Sequence, residues 1–157
     1  MNITLLVVGK TDQKYIKEGI ELYLKRMKHY NPFEIKEIPA LKKTSGMPVE
    51  IVKQKEAEVI NKHLSKADYI ILLDERGKEF TSKEFSTFLE KRLITGIREM
   101  VFIVGGAWGF AEDLHKTAHL KLSLSRMTFS HQMVRLFFTE QLYRAFSILK
   151  GENYHNE

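Results

Sequence analysis

Apolar residues along the chain alternate between two rhythms. Residues 3–8 (ITLLVV), 69–74 (YIILLD) and 100–104 (MVFIV) are short, nearly unbroken apolar runs, the pattern of strands buried on both faces. Phe33, Ile35 and Ile38 suggest a further strand closed by Pro39, and residues 120–124 (LKLSL) a fifth. Between the runs the spacing turns helical. Tyr15, Ile16, Gly19, Ile20, Leu22, Tyr23 and Met27 follow Thr11 or Asp12 as N-cap and stop at Asn31-Pro32. Pro48 opens a helix running to about Leu64, and Thr81 or Ser82 caps one carrying Phe85, Phe88, Leu89, Leu93 and Ile94, with Gly96 just past its end. A short helix spans about 112–118. The last, from about His131 to Leu149, is the most apolar in the chain. Strands alternating with helices predict an α/β domain of three layers with a mainly parallel sheet, formed by residues 1–157 as one unit.

The final helix carries Met133, Val134, Leu136, Phe137, Phe138, Leu142, Tyr143, Ala145, Phe146, Ile148 and Leu149. That is too much apolar surface for a helix with one solvated face, so cover from several sides is expected, a second copy of the chain being one source.

Composition narrows the chemistry. At 157 residues and 43% apolar the chain supports one core. No run approaches the ~20 apolar residues of a membrane span, and no leader is evident, so a soluble cytoplasmic protein is expected. Cysteine is absent, which removes disulfides and thiolate chemistry. The six histidines show no zinc-site spacing, so no metal is expected. A net charge of +5, with many lysines in the first half, fits either a solvated surface or a polyanionic partner such as nucleic acid.

In open α/β sheets ligands meet the carboxyl ends of the strands. Three segments in such positions stand out: Leu73-Asp74-Glu75 followed by Arg76, Gly77, Lys78 and Glu79, read as a turn; Gly105-Gly106-Ala107-Trp108-Gly109; and Leu124-Ser125-Arg126-Met127-Thr128-Phe129. The glycine turn is not the dinucleotide fingerprint, since Val104 stands where its first glycine is needed. By itself it is also compatible with an ordinary tight turn. The third segment mixes hydroxyls, a thioether and an aromatic, a combination suited to a small-molecule site. Glu140 and Arg144 share one face of the last helix at i,i+4, an arrangement that also describes a plain helix ion pair, while Arg135 projects roughly the other way.

The strings LLDERGK, FIVGGAWG, LSLSRMTFSHQMVR, EQLYRAF and the terminal NYH, in that order, resemble the ribosomal large-subunit pseudouridine N3-methyltransferase family, RlmH, of the SPOUT class. The resemblance implies a carboxy-terminal trefoil knot, a homodimer, and S-adenosylmethionine bound in a bent form at the dimer interface. It implies cofactor contacts at Leu73, Gly105, Leu124, Ser125, Arg126, Met127, Thr128 and Phe129. Substrate and catalytic roles fall on Glu140, Arg144, Tyr154 and His155. The implied substrate is a pseudouridine of 23S rRNA, in the helix 69 loop, within the ribosome. Two positions depart from the family pattern: Ser130 stands where proline is common, which would loosen that turn, and Asn156 where a basic residue is usual, which puts one implied phosphate contact in doubt.

In that framework His155 is expected to accept the N3 proton, since an imidazole titrates near neutral pH. Arg144, oriented by Glu140, would stabilise charge on a base carbonyl, and Tyr154 would stack on or hydrogen-bond the nucleotide. Two other classes stay open: an α/β enzyme using another nucleotide cofactor, and a catalytically silent RNA-binding dimer.

Overall fold

The computed structural model describes residues 1–155. Ten elements follow in order: β1 (Asn2–Val8), α1 (Lys14–Met27), β2 (Phe33–Ile38), α2 (Val49–Asn61), β3 (Tyr69–Glu79), α3 (Ser82–Ile94), β4 (Glu99–Val104), α4 (Glu112–Thr117), β5 (Leu120–Ser123) and α5 (Met133–Leu149). The five strands form one sheet in the order β2-β1-β4-β3-β5, and every pairing is parallel.

The apolar runs are continuous because both faces of the sheet are covered. Ile3, Leu5, Val7, Ile71, Met100, Phe102 and Val104 point into one core with residues of α1, α3 and α5. Leu6, Val8, Ile70, Leu72, Val101 and Ile103 point into the other with residues of α2 and α4. Neighbouring residues thus enter opposite cores, as the period of two in a strand requires. Each fully buried Leu, Ile or Phe contributes about 1.5–3 kcal/mol through removal from water.

Helix α5 lies between α1 and α3. Phe138, Leu142, Ala145 and Phe146 are buried there, so its unusual apolarity is first explained by cover from within the chain. Phe137 nevertheless remains 39% exposed.

The structure corrects four expectations. Helix α1 is preceded by Gln13 rather than capped by Thr11 or Asp12, and no side chain caps it. Thr11 is occupied elsewhere: its hydroxyl accepts from Arg135 at 2.9 Å. Residues 75–79 do not simply turn away from the sheet; β3 resumes pairing with β5 at Lys78 and Glu79 after an irregularity that follows Leu73. Gly77 permits the return, since a Cβ there would lie 2.6 Å from the Lys121 carbonyl carbon. Helix α5 starts at Met133, not His131. Finally, the turn before it is tied by Ser130, whose hydroxyl accepts from Met133 N–H at 3.2 Å, a bond proline has no hydroxyl to make. At α3, by contrast, Thr81 and Glu84 form the expected cap as a reciprocal capping box.

Candidate active site

The turns after β4 and β5 and the irregular stretch of β3 meet around one cavity of about 630 Å³. Its wall includes Leu73, Asp74, Glu75 and Arg76 from β3, residues 104–110 around the glycine turn, and Leu124, Ser125, Met127, Thr128, Phe129, Ser130 and His131 from the loop before α5. Lys53 of α2, His115 of α4 and Val134 of α5 close its sides. Of the expected cofactor residues, seven line this space. Arg126 does not; it is turned outward, where its Nε lies 3.1 Å from Glu79.

Local chemistry holds the loop at residues 124–132. Ser123 Oγ donates to the Ser125 carbonyl at 2.9 Å, and Ser125 Oγ accepts from Met127 N–H at 3.0 Å. Thr128 donates its hydroxyl to Glu75 in the irregular part of β3, and Arg126 reaches Glu79 where pairing with β5 has resumed, so two polar bridges cross from the loop to β3. Met127 and Trp108 stand on the rim, 76% and 61% exposed.

Behind the loop sits the least expected residue of the fold. Arg135 is fully buried, and its guanidinium donates to Val8 O, Gly9 O, Thr11 Oγ and His131 O at 2.9–3.0 Å. It therefore joins the carboxyl end of β1 to the turn that opens α5. Burial pulls its pKa downward, opposed by the carboxylates of Glu37 and Asp12.

Glu140, Arg144, Tyr154 and His155 form a second cluster. Glu140 Oε1 accepts from Arg144 Nη2 at 2.6 Å and from Tyr154 Oη at 3.0 Å, and Glu140 Oε2 from Gln141 at 2.7 Å. Arg144 lies over the Tyr154 ring at 4.8 Å, and its Nη1 is 3.3 Å from His155 Nδ1. Tyr23 of α1 meets Tyr154 hydroxyl to hydroxyl at 3.3 Å. Because the Tyr154 proton is given to Glu140, Tyr23 donates to Tyr154. Burial first, then these two bonds, push the Tyr154 phenol far above its ordinary value, so it stays a neutral donor. Nearby, Tyr30 donates to Glu152, which raises its own pKa.

The two groups of residues are not brought together within one chain. Among the described residues none of the tail cluster lines the cavity. Val134, at the cavity, and Arg144 are ten residues apart on α5, or about 15 Å along the helix.

Comparison with known proteins decides the family. The model of a family described as "Predicted SPOUT methyltransferase" matches residues 1–155. This chain belongs to the SPOUT methyltransferases. It is 51% identical over 156 residues to ribosomal RNA large subunit methyltransferase H of Christiangramia forsetii, covering 99% of each chain. It is 52% identical over 157 residues, all of both chains, to the protein of the same name from Parabacteroides distasonis. Kinship with that methyltransferase H family therefore extends over the whole SPOUT chain. Among solved structures, a probable methyltransferase from Bordetella pertussis Tohama I superposes with a TM-score of 0.57 at 10% identity, covering 92% of this chain and 96% of that one, a likeness of fold.

As a SPOUT methyltransferase the chain requires a methyl donor, and the cavity is suited to one by size and by its mixture of main chain, hydroxyls and apolar walls. Among the described residues no group of three or more His, Asp or Glu side chains is placed to hold a metal ion, and no helix is long and apolar enough to cross a membrane. Sequence reasoning missed Lys53, Glu56, Tyr23 and Arg135 as parts or supports of the site. Only Arg135 left a signal, as the one charged residue in the apolar stretch from Met133 to Phe138. The Asn156 departure lies outside the described residues.

Proposed function

We propose that this SPOUT methyltransferase is a homodimer that transfers a methyl group from S-adenosylmethionine to N3 of a pseudouridine in 23S rRNA. The observation that carries the reading is the meeting of three strand-end segments on one cavity, with the implied cofactor residues Leu73, Gly105, Leu124, Ser125, Met127, Thr128 and Phe129 on its wall. The names of the relatives from Christiangramia forsetii and Parabacteroides distasonis support the RNA substrate.

Leu73, Leu124 and Phe129 supply apolar walls for the cofactor, and the glycine turn and the segment 124–129 supply main-chain partners. When bound, S-adenosylmethionine offers a methyl group activated by its sulfonium, so no metal is needed. The protein's part is alignment, exclusion of water and handling of the N3 proton. His155 accepts that proton. Arg144, held by Glu140 and by the Tyr154 ring, stabilises negative charge on the neighbouring carbonyl oxygen. Tyr154 is unsuited to act as base because it is itself a committed donor, and Glu140 already accepts from three groups.

Distance along α5 leads to the dimer: the tail cluster of one chain completes the cavity of the other. A strip of exposed apolar surface is available for that contact. Tyr15, 60% exposed, lies 3.9 Å by its hydroxyl from Met133 sulfur, and the half-covered Phe137 packs on Phe129 with ring centres 4.9 Å apart. The trefoil knot and a cytoplasmic, ribosome-associated setting belong to the same reading. The basic surface accounts for the grip on RNA, which is expected to weaken steeply as salt rises.

Labelled-methyl transfer to ribosomes lacking the modification, followed by mapping of the labelled nucleoside, tests the activity. The expected product is an N3-methylated pseudouridine in 23S rRNA; label on another nucleoside, or none with a cofactor-binding protein, contradicts it.

A further inference from the structure

The glycine turn after β4 is held from behind by a side chain fifty residues upstream. Glu56 of α2 accepts from Gly106 N–H through Oε1 at 2.8 Å. A Cβ on Gly106 would lie 2.4 Å from Glu56 Oε2, so the carboxylate rests directly on that α-carbon. Gly105 and Gly106 line the cavity, as does Lys53 one helical turn before Glu56, whereas Glu56 itself does not. Burial pushes its carboxyl above the ordinary range, against the opposing pull of the Gly106 amide.

A peptide unit is planar, and its N–H and C=O point in opposite directions. With the Gly106 N–H engaged by Glu56, the Gly105 carbonyl of the same plane is turned away from that carboxylate, and both glycines belong to the cavity wall. A peptide flanked by two glycines has little intrinsic resistance to rotation. An external anchor is what gives this carbonyl a single direction, and a carboxylate makes a stronger anchor than a neutral acceptor.

We propose that Glu56 is a positioning residue for the methyl donor: it locks the peptide between Gly105 and Gly106 so that the Gly105 carbonyl accepts from a hydroxyl or amine of a nucleoside cofactor. The proposal rests on the S-adenosylmethionine reading of the cavity. It assigns α2, an element outside the three strand-end segments, a part in cofactor affinity exerted through the glycine turn.

The test uses the full chain and three variants, Glu56→Ala, Glu56→Asp and Glu56→Gln. Calorimetric titration with S-adenosylmethionine is read beside amide hydrogen exchange at Gly106 in the ligand-free protein and beside thermal unfolding. Loss of the bond in Glu56→Ala is expected to speed exchange at Gly106 and raise the cofactor Kd roughly tenfold, with RNA affinity unchanged. Glu56→Asp, one methylene short of reach, is expected to do the same and carries the comparison if Glu56→Ala fails to fold. Glu56→Gln keeps an acceptor oxygen and is expected to stay within roughly threefold of wild type. Wild-type cofactor affinity in both the Ala and Asp variants, or unaltered Gly106 exchange, overturns the proposal alone. A wild-type protein that does not bind S-adenosylmethionine overturns the cofactor reading and this proposal with it, while the exchange data still report whether Glu56 holds the turn.

Discussion

The two ends of α5 are built on different principles. At its amino end the cavity is bounded largely by turns and main chain, positioned by residues that mostly stand behind it: Arg135 on the β1 end, Ser130 on Met133, Glu56 on Gly106. At its carboxyl end the groups proposed to act on the substrate are side chains that hold one another, Glu140 joining Arg144 and Tyr154. A site made of main chain is altered chiefly through its supports, and stability suffers with function. A site made of side chains can lose function one residue at a time.

The sharpest contrast is therefore between two arginines nine residues apart. Arg135→Leu leaves two strand-end carbonyls, Thr11 and the His131 carbonyl without their donor, and is predicted to cost about 3–5 kcal/mol, read by urea or thermal unfolding. Arg144→Ala is predicted to slow single-turnover methyl transfer by roughly 100-fold to 1,000-fold while changing the cofactor Kd by less than about threefold. If Arg144→Ala proved the more destabilising of the two, the contrast would be wrong.

A smaller effect sharpens the same division within the cavity. Thr128→Val removes the hydroxyl that bridges to Glu75, and is predicted to weaken cofactor binding about fivefold, near 1 kcal/mol, with little change in the melting temperature. The smallest effect lies at the opposite, amino-terminal end of the strands, where β3 and β4 begin. Asp68 accepts from Glu99 N–H and Arg98 N–H, which hold its carboxyl below the usual carboxylate range. A depressed carboxylate contributes stability that is complete above its unfolded value and is lost as pH falls through the folded one. Asp68→Asn should thus narrow the stability difference between neutral and acid solution below pH 4 while leaving both ends of α5 unaffected; a change in methyl transfer would contradict that.

Most of the architecture was legible because its signals are local. Unbroken apolar runs marked strands covered on both faces, and Thr81 or Ser82 marked a helix start, which the structure makes with Thr81 in a capping box completed by Glu84. What escaped depends on contacts distant in sequence. Asp74-Glu75-Arg76-Gly77 has the composition of a turn, yet β3 re-pairs with β5 because Gly77 fits against the Lys121 backbone. Arg135 looked like a side chain on the far face of a helix, and nothing local revealed that three backbone carbonyls and a hydroxyl awaited it. Glu56 is one of three glutamates on α2, with Glu50 and Glu58, distinguished only by the glycine it touches. The candidate site divides in the same way: its segments were visible as strand ends, whereas the separation of the cavity from the tail cluster needed the lining of the cavity, which includes Val134 and none of Glu140, Arg144, Tyr154 and His155.

That separation makes mixed dimers the most direct test of the account. Gly105→Leu, which would crowd Phe110 and fill the cavity, and Arg144→Ala are each expected to give an inactive homodimer. When the two differently tagged chains are unfolded, refolded together and the heterodimer isolated, one of its two sites would combine an intact cavity with an intact tail from the other chain. The account predicts recovery of methyl transfer to about half the wild-type level; a heterodimer as inactive as its parents would show that cavity and tail act within one chain.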